Sequence, residues 1–361
     1  MNETETRDDG GMAKNAAKQS LAGLKVPNTV IDKLARVFAC SIVAVTILFL
    51  FNDYLIFWQG WPGLVELLSH NQWLGFSPLK APLGEAQLAH GWMQLASYLG
   101  ALLLVVGYVM ITPQRGLRRD AASLSAFAAY VIRGAFWMVF IVGFTDMLIS
   151  LLRVEGVLSS LTGDEIARSL GRPQFRGTYV HYPLVLFSFV VALFSRSLGF
   201  TWLALLVVIA EFQIVIFRFV FSYEQAFMGD LVRFWYAALF LFASAHTLLI
   251  EGHVRVDVLY AHFSVRAKAW ANTLGLLLLG LPLCWIILTM GMWGKGSSIN
   301  SPLLSFEISQ SGYGMYVKYL MVAYLVFFAF SMIVQFCSYL LNNIADLRDE
   351  PGREKPVVTF N

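Results

Sequence analysis

Residues 269–292 read "AWANTLGLLLLGLPLCWIILTMGM", and none of them is charged. A helix rises about 1.5 Å per residue, so this run is long enough to cross a bilayer core of about 30 Å. It has no polar face to turn toward water, as a surface helix of a soluble domain would. Working outward from it, comparable apolar runs lie at 34–58, 92–111, 127–152, 182–195, 200–221, 231–250 and 315–341. The whole chain is 58% hydrophobic and only 14% charged, whereas a soluble domain carries about a quarter charged residues. The expected fold is an all-α integral membrane protein with about eight transmembrane helices and short interfacial amphipathic helices.

The aromatic residues agree. Trp58, Trp92, Trp202, Trp235, Trp270 and Trp293 fall near the ends of runs, where an interfacial belt is expected. Trp137 and Trp285 read as core filler. Cys40, Cys284 and Cys337 lie inside apolar runs and read as small buried hydrophobes rather than a disulfide set. The net charge of +3 is small and no basic block is present, so nucleic acid is not an expected partner. Residues 1–30 are polar and aperiodic, with no apolar segment of the kind that marks a cleaved leader; they read as a disordered cytoplasmic tail.

The run at 182–195 is the weakest span, because it is short and separated from the next only by "SRSLG" at 195–199. Lys and Arg cluster before the first run, after the second, after the sixth and after the last, which places both ends in the cytoplasm by the positive-inside rule. Arg153, Arg168, Arg172 and Arg176 lie on the predicted outer side and argue against it. The segment 60–91 reads as a long outer loop with a short surface helix.

Chemistry-bearing patterns are scarce. Of six His, only His246 falls within a run, so no facing pair for a haem is in view. No metal-protease, paired-cysteine or phosphate-loop motif occurs; neither a catalytic set nor a cofactor is expected. Charges inside spans are costly and functional by default. Asp53 and Asp146 lie near span ends, while Glu211 lies deep in the fifth run. Arg218, seven residues on, shares its helix face and can snorkel outward. Glu211 therefore reads either as an ion or proton site, or as a polar clamp to another helix or subunit. Only Pro282 interrupts a run, so the paired helix breaks typical of a transport site are missing.

The stretch "LLIEGHVRVDVLYAHFSVRAKAW", 248–270, threads Glu251, His253, Arg255 and Asp257 with apolar residues. Its alternation imitates a strand, but an open strand edge cannot lie in lipid. Val258, Leu259, Phe263 and Val265 instead fit a helix lying along the inner membrane surface. Glu251 precedes Arg255 by four residues, the favourable order for a helical pair.

"GHVRVDVLY" (252–260), followed by "SVRAKAW" and an apolar run, resembles the signature of the small Q-type (DctQ-like) subunit of TRAP transporters, the tripartite ATP-independent periplasmic transporters. The preceding "EFQIVIFRFVFSYEQAFMGDLVRFWYAALFLFASAHTLLIEG" (211–252) resembles it too. Gln213, Arg218, Phe221, Asp230, Leu231, Arg233 and Phe234 occupy the family's places, and Gly229 stands where the first of two acids is usual. The resemblance covers 197–347, expected as a four-helix Q-type domain. Residues 31–196 are then an N-terminal extension of about four spans, and 348–361 a cytoplasmic tail.

The resemblance implies a small permease subunit in a bacterial inner membrane. It would pack as a scaffold against a large M-type subunit and help dock a periplasmic substrate-binding protein during sodium-driven uptake of organic acids. The interface residues expected are Glu211, Arg218, Asp230, Arg233, Glu251, His253, Arg255 and Asp257, with membrane lipids as further partners. Ser301 as N-cap and Pro302 at the first helical position predict a surface helix over 301–314. Glu307 on it and Glu224 nearby are the expected docking points for the binding protein. The rivals are a standalone transporter or channel with Glu211 as coupling residue, and a membrane enzyme using outer His and Asp residues.

Overall fold

A computed structural model describes residues 29–195, 199–249, 260–309 and 314–352. Eight of its helices are long and apolar enough to cross a membrane: α1 (Val30–Phe57), α3 (Glu85–Ile111), α4 (Leu117–Val154), α7 (Pro173–Phe194), α8 (Phe200–Phe221), α9 (Ala226–Leu249), α10 (Val265–Met292) and α12 (Lys318–Leu347). Short helices α2 (Leu64–His70), α5 (Leu158–Thr162), α6 (Asp164–Leu170) and α11 (Asn300–Ser305) connect them. No strand occurs among the described residues. The all-α membrane fold with eight spans is as expected.

Local chemistry explains the helix ends. Thr29 caps α1 reciprocally with Asp32, each side chain taking the other's backbone N–H. Ser264 caps the start of α10 through the Ala267 N–H. In α7 a wide π-turn at Gly177–His181 precedes Pro183, and in α10 one at Leu276–Gly280 precedes Pro282. Proline lacks the N–H for the regular ladder and crowds the preceding turn. The widened turn takes up that mismatch, so both helices run through without unwinding. Pro183 is thus a second intraspan proline, which the shorter reading of this span, 182–195, had placed at its very start.

α4 and α12 form the centre. α4 lies against α7, α9 and α12, while α12 also touches α1, α9 and α10. One apolar core joins Phe136, Val139 and Val142 of α4 to Phe234 and Phe242 of α9 and Tyr324 of α12. The other joins Ala39 and Val43 of α1 to Ala121 and Ala128 of α4, Leu288 of α10 and Ile333 of α12. Residues from the first four spans and the last four therefore share both cores. α3 rests on α1 and α2, and α8 rests on α9, so these two stand at the periphery.

Several expectations change. The fourth span begins at Pro173 and is 22 residues long. It looked short because Arg176 and His181 interrupt its hydropathy; both are buried in the protein rather than set in a loop. Trp235 belongs to the core, not the interfacial belt: its indole N–H donates to the Val139 carbonyl. The surface helix expected at 301–314 is the shorter α11, which starts at Asn300, so Ser301 is not its cap. Phe306, just after α11, is buried among Trp58, Tyr182 and Tyr319.

Arg348 reaches Thr29 and Asp32, so α1 begins on the face where α12 ends. We call this the terminal face and its opposite the far face.

Candidate functional site

Asp146 and Ser150 sit one turn apart on α4 and present their side chains together near the far face. Arg176 and His181 enter from α7, and all three titratable side chains are fully buried. Asp146 Oδ1 accepts from Arg176 Nη1 at 2.9 Å and lies 3.0 Å from His181 Nε2. Its Oδ2 accepts from the Tyr316 backbone N–H at 2.8 Å. Arg176 also donates to the Leu170 carbonyl and the Ser150 hydroxyl. Its guanidinium stands 4.1 Å above the centre of the Tyr316 ring, a cation–π contact. His181 Nδ1 lies 2.9 Å from the Tyr319 hydroxyl. Three segments supply hydrogen bonds to the buried ion pair, while Arg176 Nη2 is buried with no hydrogen-bond partner among the described residues. The network ties α4 and α7 to the entry of α12.

Sequence reasoning noted Asp146 but assigned Arg176 and His181 to a loop. The available signal was the need of an intraspan carboxylate for a cation.

Two further carboxylates hold far-face connections. Asp53 of α1 accepts from the Asn300 side-chain amide at 3.1 Å, and that amide also reaches the Met292 carbonyl. Asp230 of α9 accepts from the Met315 N–H at 3.0 Å and the Ser309 hydroxyl at 3.1 Å. Arg233 lies 3.6 Å from Asp230 but is largely exposed. Asp230 thereby fixes the segment ahead of α12, a sufficient reason for a carboxylate there without its usual acidic neighbour.

The terminal face carries a matching device. Buried Arg36 of α1 donates to Asp120 of α4 at 2.6 Å and to the carbonyl and hydroxyl of Thr112. Tyr108 donates to the other Asp120 oxygen at 3.0 Å. Arg118 donates to Asp346, and the Glu350 carboxylate accepts the N–H groups of Leu117 and Arg118. Burial pushes the Glu350 carboxyl above its ordinary range, partly offset by those N–H groups and the Arg118 charge.

The remaining expected site residues do not converge. Glu211 is exposed on α8 and makes no contact with Arg218. Arg218 lies 3.4 Å from Glu224, both largely exposed. Glu307 pairs with Lys318 at 2.5 Å on the far face. Glu251, His253, Arg255 and Asp257 lie outside the described residues, as do Val258 and Leu259 of the expected inner-surface helix; its described remainder is a tight turn at Tyr260–His262 followed by the start of α10 at Val265, not a separate surface helix. Among the described residues, no group of three or more His, Cys, Asp or Glu could hold a metal ion.

The arrangement is one of helix clamps and continuous spans, without a convergent reactive set among the described residues. Residues 204–345 match the family model described as tripartite ATP-independent periplasmic transporters, DctQ component. The chain carries a DctQ domain. It comprises nearly all of α8, then α9, α10, α11 and nearly all of α12. Neither a curated protein nor a solved structure matches the chain. Helices α1 to α7 lie outside the DctQ match, yet α4 supplies one side of the packing of α9 and α12.

Proposed function

We propose that the protein is the small membrane subunit of a TRAP transporter, a scaffold that packs beside a large M-type subunit and helps a periplasmic binding protein dock. The complex would take up organic acids with sodium ions. The observation that carries this reading is the DctQ match over 204–345, folded as four uninterrupted spans. Continuous helices suit a fixed wall; a substrate site near the midplane generally requires unwound ones. Glu211 faces away from the other helices of this chain, which weighs against an ion path through this chain alone.

The division into a tail over 1–30, an N-terminal extension over 31–196, a Q-type domain over 197–347 and a tail over 348–361 is part of the proposal. The extension acts as a brace: α4 supports α9 and α12 along their length, and the Asp146–Arg176–His181 network locks it in place. We place the terminal face in the cytoplasm of a bacterial inner membrane. Lys33, Arg115, Arg118, Arg119, Arg266, Lys268 and Arg348 favour this. Arg176, which had counted against it, is withdrawn into the protein on Asp146. The far face then meets the binding protein, with exposed Glu224 and Glu307 as docking points.

The test is co-purification. The tagged chain, co-expressed with the M-type subunit of its transporter, should retain that subunit in mild detergent at fixed stoichiometry. Purification of the chain free of it under the mildest conditions would remove the reading.

A further inference from the structure

Helix α8 makes its main contacts with α9 and buries only Leu203 and Ala210 fully. Its outward surface includes Glu211, the twelfth of its 22 residues. At about 1.5 Å per residue, the carboxylate stands about 15 Å from either helix end, near the middle of the bilayer core. A glutamate side chain is too short to reach headgroups from that depth, unlike a Lys or Arg near a helix end. Among the described residues it has no hydrogen-bond or ion partner. Arg218, two turns away on the same helix, lies beside Glu224 instead.

The surrounding face is apolar. Val208 and Val215, one turn to either side of Glu211, are about half exposed or more, as is the adjacent Phe212. The other peripheral helix, α3, provides the contrast. Its exposed middle is formed by Leu99, Leu103, Leu104 and Val106, a surface that lipid alone satisfies. The α8 face is not so satisfied, because an ionisable group inside a membrane is costly and normally faces protein.

We propose that the α8 face centred on Glu211 is where a helix of the large subunit docks, presenting a cationic or hydrogen-bond-donating side chain to the Glu211 carboxylate. This rests on the small-subunit reading above. A second copy of this chain suits the face poorly, since twofold pairing through it would bring two Glu211 carboxylates together. Lipid acyl chains offer no donor. A membrane helix with a donor at the midplane satisfies both the charge and the apolar surface around it, as polar residues do between packed membrane helices.

The experiment uses the full chain co-expressed with its large subunit, with photo-crosslinking residues placed at Val208 and Val215 of α8 or at Leu103 of α3. Cross-linking to the large subunit is expected from both α8 positions and not from α3. Glu211→Lys should lower recovery of the large subunit at least tenfold, and Glu211→Gln, which keeps hydrogen-bonding capacity, should lower it less. The size-exclusion profile of each variant chain alone should match the parent, which separates lost docking from misfolding. Cross-linking from α3 only, or from α8 to a second copy of this chain, would overturn the docking face while leaving the small-subunit reading intact. If the unaltered chain retains no large subunit at all, both the reading and the proposal fall.

Discussion

Replacing Asp146 by Ala removes the central acceptor of the buried far-face network. Its two oxygens accept from Arg176, His181 and the Tyr316 N–H, at 2.9, 3.0 and 2.8 Å. The change leaves the fully buried Arg176 guanidinium without its counter-charge, its remaining partners being the Leu170 carbonyl, the Ser150 hydroxyl and the Tyr316 ring. Breaking one side of a buried ion pair costs about 3–5 kcal/mol, mostly because the remaining charge stays buried and uncompensated. Removing both charges is much less harmful. Asp146→Leu combined with Arg176→Met should therefore recover most of the loss, leaving the unmet Tyr316 N–H and altered packing as the residual cost. The assay is thermal or denaturant unfolding of the purified chain in detergent, with all three variants measured side by side. A double variant as unstable as Asp146→Ala would refute the reasoning, because it would locate the cost in packing rather than in the stranded charge.

Gly134 allows α4 to approach α7, since a Cβ there would lie 2.4 Å from the Phe189 ring. Gly134→Leu should lose about 1–3 kcal/mol by overpacking, whereas Gly107→Leu on α3, with open space around it, should lose little; unfolding curves compare them. Glu350 predicts a pH effect of definite sign. Its carboxyl is raised on folding, so the folded chain holds the proton more tightly than the unfolded chain and stability declines as pH rises through the folded-state value. Glu350→Gln should flatten that decline when unfolding midpoints at pH 4 and pH 7 are compared. For sidedness, Cys placed at Arg119 or Lys268 should resist an impermeant thiol reagent in intact cells, while Cys at Lys80, Arg172 or Lys295 should react. Protection at Arg172 with reaction at Lys80 would contradict the alternation of the spans.

The eight spans were legible because lipid demands long apolar runs, and seven of them showed as such. The fourth was foreshortened where Arg176 and His181 enter it. Hydropathy scores those residues as water-facing, but Asp146, 30 and 35 residues earlier in the chain, gives them a buried partner. Such pairing is a tertiary fact that no local window contains. Trp235 was misplaced for the same reason: its N–H is met by the Val139 carbonyl of another helix. The α11 boundary differed because the backbone turns into a helix at Asn300, whose side chain bridges to Asp53 and Met292 rather than capping. The DctQ resemblance, read over 197–347 from scattered positions such as Arg218 and Asp230, overlies the matched 204–345 closely. Asp230 shows why that pattern carries information, since it anchors the Met315 N–H across a wide loop. Exposure of Glu211 could not be read from sequence, because either face of α8 is apolar enough to be buried.

The central claim, that this chain is a scaffold completing a transporter rather than a transporter itself, is tested most directly by uptake into proteoliposomes. The solute should be the organic acid retained by the cognate binding protein, supplied under an inward sodium gradient. The account predicts uptake when this chain, the large subunit and the binding protein are all present, and none with this chain alone or when it is omitted. Sodium-driven uptake by this chain alone, or undiminished uptake in its absence, would contradict it.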